Sequence, residues 1–540
     1  MVLRTPIVAP IARSRIRSPS MSTRHPALAL SAICLAALLF GLEISSVPII
    51  LPVLEAQLRA DFQDLQWTMN AYTIACTTVL MATGTLADRY GRRRVFSVSV
   101  LAFGIASLLC GLAPSMPALI GARFAQGLAA GAMFICSIAI LSHQFPEGRA
   151  RARAFAAWGV VSGIGLGFGP VVGGAIIALT SWQWVFLVHV PLSLIALALI
   201  RAGVVESRDP QAQDQRLDWA GIATLTVAVL GLSWLITQGS SFGWTSPAAL
   251  GLLAATLLGL VGFVVAERLH PRPMFDFSVF RIRDFSGAII GCVGMNCSYW
   301  PFMVYLPLYF TAGMGWDISR TGLALLVYTV PFLVMPPIAQ WLLLRYQARI
   351  VIPSGLFTIG LGFMLMQVGS GFSEWGGWTV LPGALLAGIG LGLTTTPATN
   401  MTTSAVPAQR AGMASGMDAS ARLITLALNI AAMGGVLVVG IASALPTALG
   451  QGVPSAQLRS MAEQLAGGNL AGVQQQLSAL AGADAAGVAL QASVTQGFGV
   501  VMLYGGIAAW LTAAASWAVL RRASAREADS CAAGSAGAAS

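Results

Sequence analysis

Lysine is missing from this chain: all 30 of its Lys/Arg positions are arginine, and charged residues of every kind make up 9% of its 540 residues. A phosphate-binding loop of the G-x-x-x-x-G-K-[ST] kind needs a lysine to reach nucleotide phosphates, so the chain itself does not use ATP that way. The scarcity of charge excludes an ordinary soluble domain, in which about a quarter of residues are charged. No G-x-S-x-G occurs, and none of the four histidines sits in an H-E-x-x-H pair, so hydrolase readings lack their residues. Six of the seven cysteines (Cys34, Cys76, Cys110, Cys136, Cys292, Cys297) lie inside apolar runs and Cys531 near the C-terminus, which implies no disulfide, metal or cofactor. A basic soluble domain is lacking too. The net charge of +10 is scattered over short loops, and nucleic acid is not an expected partner.

Present instead are apolar residues, 56% of the total, in runs of about 20 that suit a helix crossing some 30 Å of hydrocarbon. About fourteen such spans are expected: 28–54, 67–87, 95–113, 117–142, 154–180 and 184–202, a pair at 219–239 and 247–266, then 285–312, 320–343, 350–369, 379–403, 412–444 and 492–520. Arginine resists translocation, and it clusters in alternate loops: Arg13, Arg15, Arg17 and Arg24 before the first span, Arg92 to Arg94 after the second, Arg149, Arg151 and Arg153 after the fourth. Arg201, Arg208 and Arg216 follow the sixth, Arg268, Arg272, Arg281 and Arg283 the eighth, Arg345 and Arg349 the tenth, Arg410 the twelfth, and Arg521, Arg522 and Arg526 the last. The opposite loops hold only Arg59, Arg320 and Arg459. Both termini are therefore expected in the cytoplasm. The apolar run from Ala27 continues through Leu54, too long for a cleaved signal, so it reads as a retained first helix. Residues 1–26 and 524–540 are expected to be disordered, and Met21 offers an alternative start.

Within this frame, G-T-L-A-D-R-Y-G-R-R-R from Gly84 to Arg94 places an acid, two glycines and four arginines in one tight turn at a membrane edge. Glycine at 84 and 91 suits close helix contact and sharp reversal. The segment resembles the loop between helices 2 and 3 of the major facilitator superfamily. That resemblance implies that Asp88, with Arg89 and Arg92, belongs to a charge network that locks the cytoplasmic side and breaks during transport. A basic loop that only obeys membrane topology is the plainer alternative.

Further segments extend the resemblance over residues 27 to 523 and point to the fourteen-helix drug:proton antiporter branch. L-E-I-S-S-V-P-I-I-L-P from Leu42 is similar to its L-D-x-T-I-V-N-V-A-L-P, with Glu43 in the acid's place and Pro48 in the asparagine's. An ionisable group inside a membrane is costly and marks function by default; burial favours the neutral form of a carboxyl group, which can then load and release a proton. Glu43 could equally lie near a helix end in water or be permanently paired. L-I-G-A-R-F-A-Q-G resembles the superfamily's R-x-x-Q-G and puts Arg123 beside the first helix, as a fixed positive charge that either tunes Glu43 or tethers the two helices. Gly163 to Gly174 match an antiporter element, G-x-x-x-G-P-x-x-G-G, in Gly165, Gly169, Pro170, Gly173 and Gly174. Small residues there permit close helix approach, the proline bends the helix, and the resemblance implies export rather than uptake.

The W-Q-W-V-F-L-V-H-V-P at Trp182 to Pro191 departs from the relatives' W-R-W-I-F-x-x-N-x-P at Gln183 and His189. A lone histidine in a helix is more often a hydrogen-bonded filler than a switch. Asp418 and Arg422, four apart, form either a second proton or cation site or a plain intrahelical pair. Tyr72, Trp300, Met303 and Tyr305 offer aromatic and deformable surface for bulky organic cations, though such residues more often face lipid or core. Asp218 opens L-D-W-x-G as a helix cap.

The expected architecture is an all-α polytopic membrane protein of the major facilitator fold: a six-helix bundle at 27–202, a linker and extra hairpin at 203–283, and a six-helix bundle at 284–523. Gly127 to Gly131 with Phe145-Pro146 are echoed by Gly388, Gly390 and Gly392 with Val406-Pro407 and Arg410, an internal repeat of the kind this architecture carries. The turn from Ala339, A-Q-W-L-L-L-R-Y-Q-A-R, lacks the acid and glycines of a second lock. Loop 445–491 is non-cytoplasmic, with Leu458, Met461 and Leu465, then Val473, Leu477 and Leu480, spaced for two short amphipathic helices. The implied function is proton-coupled export of lipophilic, cationic compounds across the inner membrane by a monomer, its partners being substrate, protons and the bilayer. A dedicated exporter of one metabolite or lipid-like molecule is the alternative; a membrane enzyme or sensor is the remote one.

Overall fold

The computed structural model describes residues 25–58, 62–145, 148–208, 218–243, 246–270, 277–372, 376–407, 410–449, 453–466 and 470–537. Every regular element among them is helical. In the first half these are α1 (Pro26–Leu58), α2 (Phe62–Tyr90), α3 (Arg92–Gly111), α4 (Met116–Gln144), α5 (Gly148–Leu179), α6 (Gln183–Leu187) and α7 (His189–Gly203). Then come α8 (Trp219–Phe242) and α9 (Pro247–Leu269). The second half holds α10 (Arg283–Cys297), α11 (Tyr299–Leu308), α12 (Ile318–Tyr346), α13 (Ala348–Ser370), α14 (Leu381–Ser404), α15 (Ala411–Leu449), α16 (Ser455–Ala466), α17 (Leu470–Ala481) and α18 (Ala483–Gly537). Local chemistry sets several starts. Asp218, Ser246 and Asp317 each accept a hydrogen bond from a backbone N–H three residues on, satisfying a donor that a helix start leaves free.

Among the described residues, eleven helices are long and apolar enough to cross a membrane, and α5, bent by 50° between Gly169 and Val171, makes a twelfth. The expected fourteen are not reached by that measure. α2, which carries Asp64 and Asn70 in its opening turns, is not among the twelve, and of α8 the stretch Trp219–Leu232 was open to that measure. Two spans contain breaks: α6 and α7 are one span interrupted at Val188, and α10 passes through Ser298 into α11 and then a π turn at Tyr309–Gly313.

The two largest apolar cores lie apart along the chain. One gathers Ala29, Phe96, Phe103, Met133, Phe155 and Ile200 from α1, α3, α4, α5 and α7. The other joins Phe302, Tyr328, Phe363, Leu391, Leu437 and Phe498 from α11 to α18. Within the halves, α1 runs along α5, α2 along α4, and α13 along both α14 and α18. The halves meet where α5 packs on α12 and α2 on α15. The α8–α9 hairpin stands against α2, with Trp67 and Trp234 edge to face at 5.1 Å.

In the loop at 445–491 the two short amphipathic helices are present as α16 and α17. Leu458, Met461, Leu465, Val473 and Leu477 are buried in the second core, while Leu480 is exposed. α15 extends to Leu449 and α18 begins at Ala483, so helix replaces loop at both ends. Residues 1–24 lie outside the described set. At the other end α18 is drawn through Gly537.

Candidate functional site

Glycine decides how closely α1 and α5 approach. A Cβ built on Gly41 would lie 3.0 Å from the Gly165 backbone, one on Gly173 would lie 3.1 Å from Ser46, and one on Gly169 would collide with the Ser45 side chain. The Ser45 hydroxyl reaches the Gly165 carbonyl at 2.9 Å, so the two helices are joined by backbone contact at the turn that carries Glu43. On another face of α5, Gly159 and Gly163 receive Pro336 and Phe332 of α12. Gly174 has open space around it.

Glu43 is fully buried inside the first half, not at a wet helix end. One oxygen, Oε1, pairs with the Arg123 guanidinium, which is 1% exposed. Arg123 in turn donates to the Gln126 side-chain oxygen (2.7 Å) and the Thr68 carbonyl (3.0 Å), while its plane covers the Tyr72 ring at 4.4 Å. Gln126 donates onward to Ser107 (2.9 Å). Four helices thus fix one ion pair. The other carboxylate oxygen, Oε2, faces the Nε2 of His189 at 3.4 Å. From sequence alone a hydrogen-bonded filler is the more common role for such a histidine; the signal for more is that His189 stands where relatives usually have asparagine.

A cavity of about 210 Å³ lies between the halves. Its first-half wall is apolar, built of Phe40, Ile44, Leu80, Phe134 and Trp158, and its second-half wall includes Asn296, Trp300, Phe332, Thr395, Asp418 and Arg422. Gly41 and Ile44 of α1 line it, whereas Glu43, between them in sequence, points away into the bundle. Asp418 accepts from Arg422 at 3.0 Å and from the Cys292 thiol at 2.9 Å. Arg422 also donates to Thr399 (2.7 Å), and its side chain is 15% exposed against 1% for Asp418. Of the other aromatic candidates, Met303 borders a small crevice beside Trp300, Tyr305 donates to the Ile430 carbonyl (2.9 Å), and Tyr72 lies beneath Arg123.

The Arg-rich turn forms a junction between the halves. Gly91, at φ 108°, makes the reversal from α2 to α3, and a side chain there would run into the Glu206 carboxylate. Asp88 pairs with Arg92 (2.7 Å) and accepts from the Met413 backbone N–H (3.1 Å) at the start of α15. Gly84 and Gly412 let the backbones meet beside it. Arg89 turns outward over Tyr90, its guanidinium 5.6 Å from the ring centre.

A second junction at the same end was not foreseen. Arg151 of α5 donates to the Asn400 side-chain and main-chain oxygens and to Thr403 (2.7 Å) on α14, and also to Ser142 (3.0 Å) on α4. Asn400 donates onward to Gln340 of α12 (2.9 Å). Arginine meets amide and hydroxyl groups here.

Residues 33–430 match the Major Facilitator Superfamily, and the chain belongs to that family of multi-pass membrane transporters. It is 33% identical over 432 residues to the multidrug resistance protein Stp of Mycobacterium tuberculosis, covering 80% of this chain and 79% of that one. It is 29% identical over 415 residues to the tetracenomycin C resistance and export protein of Streptomyces glaucescens, covering 75% and 74%. The solved proton:xylose symporter XylE shares the fold at a TM-score of 0.55, with 12% identity over 91% of this chain and 94% of its own.

Proposed function

We propose that the chain is a proton-coupled antiporter that exports lipophilic compounds, as a multidrug efflux protein of the plasma membrane, with both termini cytoplasmic. Bundles at 27–202 and 284–523 would rock about the cavity, with the hairpin at 203–283 as an addition. Relatives named for drug resistance and antibiotic export support the cargo class. The observation that carries the coupling is the position of Glu43: sealed with Arg123 between α2, α4 and α7, on the helix whose Gly41 and Ile44 line the cavity. A change in the protonation of Glu43 alters the packing of α1 on α4 and α7, and the position of α1 shapes the cavity wall.

Asp418 is the acid among the cavity-lining residues, and Arg422 already holds it. A cationic substrate therefore has to draw the carboxylate away from the guanidinium. Arg422, a proton and a cation compete for one group, which gives exchange. Everted vesicles test the reading. An imposed pH gradient is expected to drive dye and drug movement in wild type and not in Glu43→Gln; gradient-independent transport of a broad panel by wild type would overturn it.

A further inference from the structure

His189 is a buried titratable group beside Glu43 that this transport scheme leaves unused. It opens α7 one residue after the Val188 break and is 1% exposed, with the edge of Phe103 against it. Its two ring nitrogens both face acceptors. Nδ1 lies 3.0 Å from the Val185 carbonyl oxygen, and Nε2 lies 3.4 Å from Glu43 Oε2. A neutral imidazole carries one N–H, so it can donate to the carbonyl or to the carboxylate but not to both. With Glu43 ionised, the remaining contact would set two lone pairs against each other in a fully buried site. Neither Oε2 nor Nε2 has any other hydrogen-bond partner.

One added proton resolves both contacts at once, lying between Oε2 and Nε2 while Nδ1–H serves Val185. Around this pair the remaining titratable groups are Arg123 on α4, Tyr72 on α2 and Cys110 on α3. Arg123 is engaged with Oε1 and stays charged at all relevant pH. Tyr72 and Cys110 have no contact that would supply Oε2 with a proton; the Cys110 thiol faces Gln126 at 3.6 Å.

We propose that His189 and Glu43 together form the proton-holding unit, with the proton shared between Nε2 and Oε2 and the Arg123–Glu43 bond left in place. Unloaded, the trio of Arg123, Glu43 and His189 is neutral; loaded, it carries one positive charge. Its role in transport rests on the antiport reading, but the protonation itself rests on geometry alone. His189 is in this sense a positioning and proton-sharing residue that does not touch cargo.

Nuclear magnetic resonance of the full chain with isotope-labelled histidine, in lipid nanodiscs, reads the ring protonation directly. The expected result is one ring, identified by its absence in His189→Asn, that gains a second proton as pH falls and does so over a different range in Glu43→Gln. A His189 ring that stays a neutral single tautomer throughout, or that loads identically in Glu43→Gln, overturns the proposal. In vesicles, His189→Asn and His189→Gln are expected to cut pH-gradient-driven efflux by about tenfold, one unit of proton affinity, while sparing substrate-for-substrate exchange. Equal loss of both activities marks a merely structural histidine and counts against the idea, as does undiminished gradient-driven efflux. Wild type showing no gradient dependence defeats the antiport reading instead, and leaves the ring measurement to decide this one.

Discussion

Asp88, near the end of α2, accepts a hydrogen bond from the backbone N–H of Met413, in the first turn of α15, across the join between the two halves. The first N–H groups of a helix have no partner within it and carry partial positive charge, so a carboxylate there is held both by a hydrogen bond and by the helix dipole. The resemblance implies a lock at Asp88, and a helix start in the other half is among the partners of that residue. Asp88→Asn keeps the shape and is expected to weaken the contact by ~0.3–1 kcal/mol. Asp88→Ala is expected to leave the Arg-rich end open more of the time, read as faster alkylation of a cysteine placed at the buried Ala411.

Arg151 joins α4, α5 and α14 through all three of its nitrogens. Lysine, a single point donor, cannot reproduce that fork. Arg151→Lys is therefore expected to loosen the same end without unfolding it, measured as greater labelling of Thr403→Cys than in the Arg151-intact protein. No change in labelling would show that the junction does not hold the halves together.

Glu43→Gln keeps an acceptor for Arg123 but removes the exchangeable charge. Gradient-driven efflux should fall by roughly tenfold or more, with exchange transport retained. Glu43→Ala leaves Arg123 buried without its acid partner; breaking a buried pair in this way costs about 3–5 kcal/mol, and a lowered melting temperature in detergent should report it.

Gly169→Ala puts a methyl group into Ser45 at the α1–α5 contact. Overpacking of this kind costs about 1–3 kcal/mol. Thermal unfolding should show that loss, Ser45→Gly in the same chain should recover part of it, and Gly174→Ala, with open space around it, should be neutral.

Arg422→Gln removes the cation that holds Asp418 and leaves an acid beside an apolar cavity. Transport by this variant is expected to shift toward cationic dyes relative to neutral ones. An unchanged preference across a matched panel would place cargo elsewhere.

Much of this molecule was legible in its residues. A membrane-spanning helix satisfies its own backbone and announces itself by length and apolar content, so the long spans, the cap at Asp218 and the two amphipathic helices after Leu449 follow from local chemistry. α2 is less apolar than the other long helices, and composition alone does not separate it from other helices. The pairing of Asp418 with Arg422 was readable because four residues make one helical turn.

The sequence by itself determined the class of protein, the alternation of arginine-bearing loops, and the short-range pairs. Only the tertiary structure decided that Glu43 divides its two oxygens between Arg123 and His189, that it faces away from the cavity, and that Arg151 reaches α14. Those partners are 80 to 252 positions apart, and no helical period relates them. Their meeting is set by how glycine-faced helices pack, which is a property of surfaces that come together after the helices have formed.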